Sequence, residues 1–147
     1  MSNQARKKFE RRGRNTVLPI TGDVVAEICL STINIPAIVF RNSNGRESEL
    51  TFEEDITVQH AQEEWHSEWR RPDSMSPLVF LLGQTVSEAI ALPDGRLAIS
   101  FTDDWGLQIT PKSGFEAWHF LYPRPGRPVG GDVKYHIGIT GDDGRLI

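Results

Sequence analysis

His60, Glu63, Glu64, His66 and Glu68 bring imidazole and carboxylate groups together within nine residues. Those are donor types that zinc or another divalent ion takes. Their spacing fits no recognised metal motif, and Glu and His are also what an exposed polar segment carries, so no metal is assigned. Glu27 and Glu88 are a second candidate. If the elements that carry them approach each other, one carboxyl pKa would rise and an acid/base couple would form. The plainer account leaves both on wet faces or pairs each with an arginine. His119 and His136 fall in separate late strands and could be neighbours across a sheet, though satisfied or solvated rings explain them equally. Cys29 sits in an apolar run with no base nearby in sequence, which reads as a buried structural thiol rather than a nucleophile. The chain contains no G-x-S-x-G, G-x-x-x-x-G-K, G-x-G-x-x-G or H-E-x-x-H pattern. No catalytic residue and no cofactor are assigned.

The elements that must position these groups are mainly β. Val24–Ser31 and Pro36–Arg41 are rich in β-branched and aromatic residues, and the turn cluster Asn42–Gly45 leads from them into Glu49–Phe52. Thr85–Leu92 and Arg96–Thr102 flank Pro93-Asp94-Gly95, where Asp-Gly signals a tight type I′ hairpin. Leu97, Ile99 and Phe101 alternate with Ala98 and Ser100, as a half-buried strand requires.

The two runs are related. A shift of 61 residues carries Gly22, Val25, Glu27, Ala37, Ile38 and Phe40 onto Gly83, Val86, Glu88, Ala98, Ile99 and Phe101. After a small length difference, Glu49–Phe52 corresponds to Gly106–Ile109. Each half reads as glycine, strand, hairpin, strand, turn, strand. A three-stranded meander has an apolar face too large to leave wet, so the two should pack together about a pseudo-two-fold axis.

Between the halves, His60–Arg71 supports two readings. Val58, Ala61, Trp65 and Trp69 lie at helical spacing, with acids early and bases late as a helix dipole favours. Alternatively Ile56–His60 and Trp65–Trp69 form a hairpin, and periodicity leaves the choice open. Pro72 then begins a linker, and Met75–Leu82 is a short apolar piece. Phe115–Tyr122 and Val133–Thr140 read as strands, joined by the Pro/Gly loop 123–131 that carries Arg124 and Arg127. That loop is a flexible connection or a binding loop.

Charge is unevenly spread. The net charge of -4 combines +5 in residues 1–14 with -9 in the remainder. Residues 1–16 have no pattern that could bury a face and read as a basic flexible arm, with residues 17–147 as one domain. That domain comprises halves at about 18–60 and 79–122 and a C-terminal addition over 123–147. Hydrophobic and charged fractions of 38% and 24% are ordinary for a soluble globular chain. No apolar run approaches the ~18 residues of a membrane span, and no signal-like apolar region follows the basic start. A lone cysteine excludes an internal disulfide or thiolate zinc site and fits a reducing cytoplasm.

One resemblance adds to this. Leu81-Leu82-Gly83-x-x-Val86, the following hairpin, Leu97-x-Ile99-x-Phe101, Leu107-x-Ile109 and Phe115-Glu116-Ala117-Trp118 resemble a family of small bacterial proteins known only as a domain of unknown function. The resemblance covers about residues 18–122 and implies a two-part β-domain. Several members are encoded near polymorphic toxin systems, which implies an immunity role; it implies no catalytic residues.

The expectation is therefore a mainly β domain of two related three-stranded meanders, with at most one short helix between them. The expected role is a non-enzymatic, cytoplasmic interaction protein, an immunity-type inhibitor, whose partner is a basic protein such as a toxin. Its partner-binding surface is expected at Glu63, Glu64, Trp65, Glu68, Trp69, Asp103, Asp104 and Trp105, where aromatic groups stand beside acids. Trp118 is expected in the core. Two alternatives come from other classes: a nucleic-acid or acidic-surface binder acting through residues 5–14, and a ligand-binding or enzymatic cleft between the meanders using Glu27 or Glu88. The chain is expected off the membrane, as a monomer or homodimer.

Overall fold

Two antiparallel sheets pack face to face in the computed structural model, which describes residues 9–31, 35–112, 116–124, 137–142 and 145–146. In chain order the strands are β1 (Glu10–Arg12), β2 (Asn15–Val17), β3 (Val24–Cys29), β4 (Ala37–Arg41), β5 (Glu47–Phe52), β6 (Ile56–His60) and β7 (Glu63–Ser67). A 3-10 helical segment, Pro72–Leu81, follows. Then come β8 (Val86–Ala91), β9 (Leu97–Phe101), β10 (Trp105–Ile109), β11 (Glu116–Tyr122), β12 (Ile137–Asp142) and β13 (Arg145–Leu146). One sheet runs β1-β2-β8-β9-β10-β6-β7, the other β13-β12-β11-β5-β4-β3.

The meanders β3-β4-β5 and β8-β9-β10 each form the centre of one sheet. Each then sends its next strand across: β6 pairs with β10, and β11 pairs with β5. Hydrogen bonds where the two halves meet come in pairs related by the 61-residue offset. Gly22 N–H donates to Val86 O (2.8 Å) and Gly83 N–H to Val25 O (2.9 Å). Val25 N–H donates to Gln84 O (3.0 Å) and Val86 N–H to Asp23 O (2.8 Å). Val24 and Thr85, themselves offset by 61, are bridged to each other. Gly22 and Gly83 both have positive φ, +87° and +83°, a backbone shape that a side chain would strain. The register of each meander's first strand also slips at the same place, between Val25 and Glu27 and between Val86 and Glu88.

Alternating residues from both sheets fill the space between them. Phe40, Leu50, Phe52 and Phe120 come from one side, and Val58, Ile99, Leu107 and Ile109 from the other. Trp118 is fully buried as expected, and its indole N–H donates to Gly95 O (2.7 Å), tying β11 to the β8–β9 turn.

Four local expectations change. His60–Arg71 is not helical: its strand half wins because β10 supplies His60 with a partner in Trp105, and β7 then pairs back on β6. The helical element lies instead at Pro72–Leu81, in the stretch read as a linker and a short apolar piece. The Asp94-Gly95 hairpin is not type I′, since only Gly95 has positive φ (+91°). Pro93 holds a negative φ, so an ordinary turn, closed by Gly95 N–H to Leu92 O (2.9 Å), precedes the left-handed glycine. Finally, part of the basic arm is structured. β1 and β2 form a hairpin whose second strand pairs with β8, and Arg12 forms an ion pair with Glu88. Residues 1–8, Phe115, Arg127 and most of the Pro/Gly loop, and His136 lie outside the described residues.

Candidate functional site

Four rings gather on the inward-facing side of β6, β7 and β10, at the margin of the core. Register sets His60 directly opposite Trp105, and Trp65 opposite the buried Val58. His60 stacks on Trp105 with centroids 4.2 Å apart and planes 22° apart. Trp105 in turn lies nearly parallel to Trp65, at 5.9 Å. Phe80 of the 3-10 segment closes the group, 5.3 Å from Trp65 and 5.5 Å from Trp105.

The 3-10 segment explains why this cluster meets solvent. With three residues per turn, side chains at i and i+3 stack into ridges. Met75, Leu78 and Leu81 form the buried ridge. The other two ridges start polar, at Asp73, Ser74 and Ser76, and end apolar, so that Val79 and Phe80, with Leu82 just beyond the segment, stand between 43% and 49% exposed. An isolated exposed leucine is ordinary, but a half-exposed Phe80 packed on two half-buried tryptophans, with Val79 and Leu82 exposed on the same short segment, forms a patch.

Backbone conformation marks the same place. Among the described residues only Ala61, Asp103 and Asp104 have positive φ without being glycine (+54°, +61° and +64°). Ala61 N–H reaches Asp104 O at 3.4 Å, so the β6–β7 turn abuts the turn that precedes Trp105. Aspartate tolerates this region; alanine does so at a cost.

The expected surface is thus assembled in part. Trp65 and Trp105 meet, with Glu63, Asp103 and Asp104 exposed at their border. Among the described residues, none of these three acids pairs with a cation. Glu64 lies on the opposite face of β7, beside His66 (3.9 Å). Glu68 and Trp69 follow the end of β7 and are engaged locally. Glu68 pairs with Arg71 (3.5 Å) and its backbone N–H is bonded by Ser74 Oγ (2.8 Å); Trp69 carries Arg70 over its ring at 5.1 Å. Sequence reasoning missed His60 as a stacking group and Phe80, Val79 and Leu82 altogether. The available signal was that Met75–Leu82 holds more large apolar residues than a single buried ridge needs.

The metal candidate is divided by the strand pleat. His60 faces the aromatic cluster, whereas Glu64 and His66 face the other way, with His66 Nδ1 3.0 Å from Thr57 Oγ1. Among the described residues no three His, Cys, Asp or Glu side chains are placed to hold an ion.

Glu27 and Glu88 are separated as well, each with an arginine. Glu88 pairs with Arg12, while Glu27 joins Glu47 and Glu49 around the guanidinium of Arg124 at 2.9, 3.3 and 3.5 Å. Arg124 is only 14% exposed, and its backbone N–H also donates to Glu47 O (2.8 Å). Arg41 reaches Glu47 from the other side at 2.6 Å. Hydrogen bonds from Arg41, reinforced by Arg124 against the opposing effect of burial, hold the Glu47 carboxyl below the usual range. Cys29 is half-buried here rather than in the core. Burial, with Glu27 nearby, pushes its thiol pKa up, which disfavours the reactive thiolate.

A family model described as a family of unknown function (DUF6188) matches residues 17–131. The chain belongs to that family. No curated protein and no solved structure matches the chain. The family match spans both meanders and the aromatic cluster, and starts within β2.

Proposed function

We propose that this DUF6188 member is a non-enzymatic interaction protein that binds a basic protein partner through the cluster of Trp65, Trp105 and Phe80. The observation that carries this reading is the half-exposed aromatic group bordered by Glu63, Asp103 and Asp104. Large rings supply contact area with little conformational freedom to lose, and surrounding acids speed the encounter with a cationic surface. An immunity-type inhibitor acting in the cytoplasm is the form of this role we favour. It would cover a basic toxin's active site or substrate groove. The lone, poorly reactive Cys29 accords with such a compartment.

The same proposal takes the two meanders as copies of one unit that have diverged. Paired hydrogen bonds at the 61-residue offset support this. At the ends of the exchanged strands, one copy carries the His60–Trp105 stack and the other carries Arg124. A catalytic cleft between the copies finds little support, because packed apolar side chains fill the space between the sheets around the buried hydroxyls of Ser48 and Ser67, and Glu27 and Glu88 each have an arginine partner.

The test is affinity capture from the native host with the wild-type chain and with Trp65→Ala/Trp105→Ala, after both are shown to be folded. A basic protein held by the wild type and bound at least ~30-fold more weakly by the double variant, about 2 kcal/mol, is expected. A partner held equally by both would overturn the surface.

A further inference from the structure

We propose that β7 is the docking strand: an extended basic segment of the partner adds antiparallel to its free edge, continuing the sheet, so that the partner reads, from its N-terminal side, an apolar residue followed by two adjacent basic ones. The proposal rests on the docking surface described above and specifies how it is used.

Among the described residues β7 ends its sheet, with β6 as its one paired neighbour. The hairpin loop is the two residues Ala61-Gln62, so His60 and Glu63 form the hydrogen-bonded closing pair. Alternation then turns the N–H and C=O groups of Glu63, Trp65 and Ser67 toward β6. Those of Glu64 and His66 point away from the sheet, and among the described residues they make no backbone hydrogen bond. The strand is five residues long, with no bulge, proline or glycine.

Other edges are less suitable. β1 is three residues long and β13 two. β3 has a register slip between Val25 and Glu27, and its Val24 is already bridged to Thr85. Such devices protect edges from pairing; at β7 the 3-10 segment packs on Trp65 and leaves Glu64 and His66 exposed, so the charges of the strand select the partner.

Side-chain alternation defines the ligand. Positions opposite Glu63 and Glu64 each meet a carboxylate and call for Lys or Arg. The next position lies opposite Trp65 on the inward face, where an apolar side chain packs on Trp65 and Phe80. A second copy of this chain is a poorer occupant: antiparallel pairing of two β7 strands about Trp65 sets Glu63 opposite Ser67 and Glu64 opposite His66, which supplies no Lys or Arg to either glutamate.

The probe is the blocked peptide Thr-Thr-Val-Arg-Lys-Thr-Thr, titrated into the full chain and followed by tryptophan fluorescence and by amide hydrogen exchange. Binding should perturb the tryptophan signal and slow exchange at the Glu64 and His66 amides at least ~10-fold. N-methylation of the peptide's arginine, or His66→Pro in the protein, should weaken binding at least ~10-fold. Proline is tolerated on an edge where the N–H faces solvent, so that variant should fold, and the exchange measurement needs no variant at all. Binding lost in Trp65→Ala but untouched by His66→Pro and by N-methylation would overturn strand addition and leave the aromatic surface standing. Failure of the peptide to bind, or self-association of the chain through β7, would also overturn strand addition. The capture experiment above then decides the surface by itself.

Discussion

Arg124 shows how much one residue can hold. Its guanidinium answers Glu27, Glu47 and Glu49 on the face of the second sheet turned away from the core. Arg124→Ala takes that guanidinium from all three carboxylates, and removing one member of a largely buried ion cluster costs about 3 kcal/mol. The pH dependence should weaken. In the wild type the Glu47 pKa is depressed, so its contribution is complete above the unfolded value, about 4.3, and is lost as pH falls toward the folded value. In Arg124→Ala the Arg124 share of that depression is gone while Arg41 remains, so the loss of stability between about pH 5 and about pH 3 should be shallower. Urea unfolding of both proteins across that range measures it; parallel pH profiles would refute the account. Gly141 is as constrained. A Cβ there would stand 1.9 Å from Trp118 Nε1 and 2.7 Å from Gly95 O. Gly141→Ala should therefore displace the indole, break its bond to Gly95 and destabilise by about 3 kcal/mol in the same assay.

Among the elements, the β6–β7 hairpin carries the strain. Ala61 sits at φ +54°, where a left-handed conformation costs about 1–2 kcal/mol for a residue with a Cβ. Glycine removes that cost, and its greater freedom in the unfolded chain offsets roughly 0.4–1 kcal/mol of the gain. Ala61→Gly should raise stability by about 0.5 kcal/mol in thermal or urea unfolding. A loss of stability would mean that the alanine methyl makes a contact worth more than the backbone strain. The 3-10 segment has a different logic. Pro72 opens it, Met75, Leu78 and Leu81 anchor it, and its position against β7 supplies Phe80 to the two tryptophans.

For the whole molecule, the exchanged strands decide cooperativity. β6 completes the sheet of the second meander and β11 that of the first, so neither half has a finished sheet of its own. Heat or urea should unfold the chain in one transition. Circular dichroism and tryptophan fluorescence should coincide, although Trp118 is in the core and Trp65 and Trp105 are at its margin. Two separate midpoints would show that the halves are independent. The uneven charge belongs to this scale too, but its basic part is not simply a loose arm. Arg11, Arg12 and Arg14 stand exposed on or beside the β1–β2 hairpin, which extends the sheet at the edge opposite to β7.

Local physics made the strands readable from the residues. Alternation in Leu97–Phe101, the turn residues of Asn42–Gly45 and Pro93–Gly95, and the 61-residue likeness depend on short-range preferences, and all fall on strands and turns of the fold. Trp65 and Trp105 could be named as candidates because an aromatic residue beside acids is visible in one dimension. Their meeting was not visible, since it requires β10 to pair with β6 across about a third of the chain. The same pairing decides that His60–Arg71 is a hairpin, a choice that periodicity left even. Glu27 and Glu88 looked equivalent in sequence, but each lies where a different arginine is delivered, one by the N-terminal hairpin and one by the segment after β11. Sequence by itself determined the strands of the two meanders and the places where they turn, because these answer to neighbours along the chain. Which side chains share a surface was decided by tertiary structure alone, because pairing between distant strands sets it.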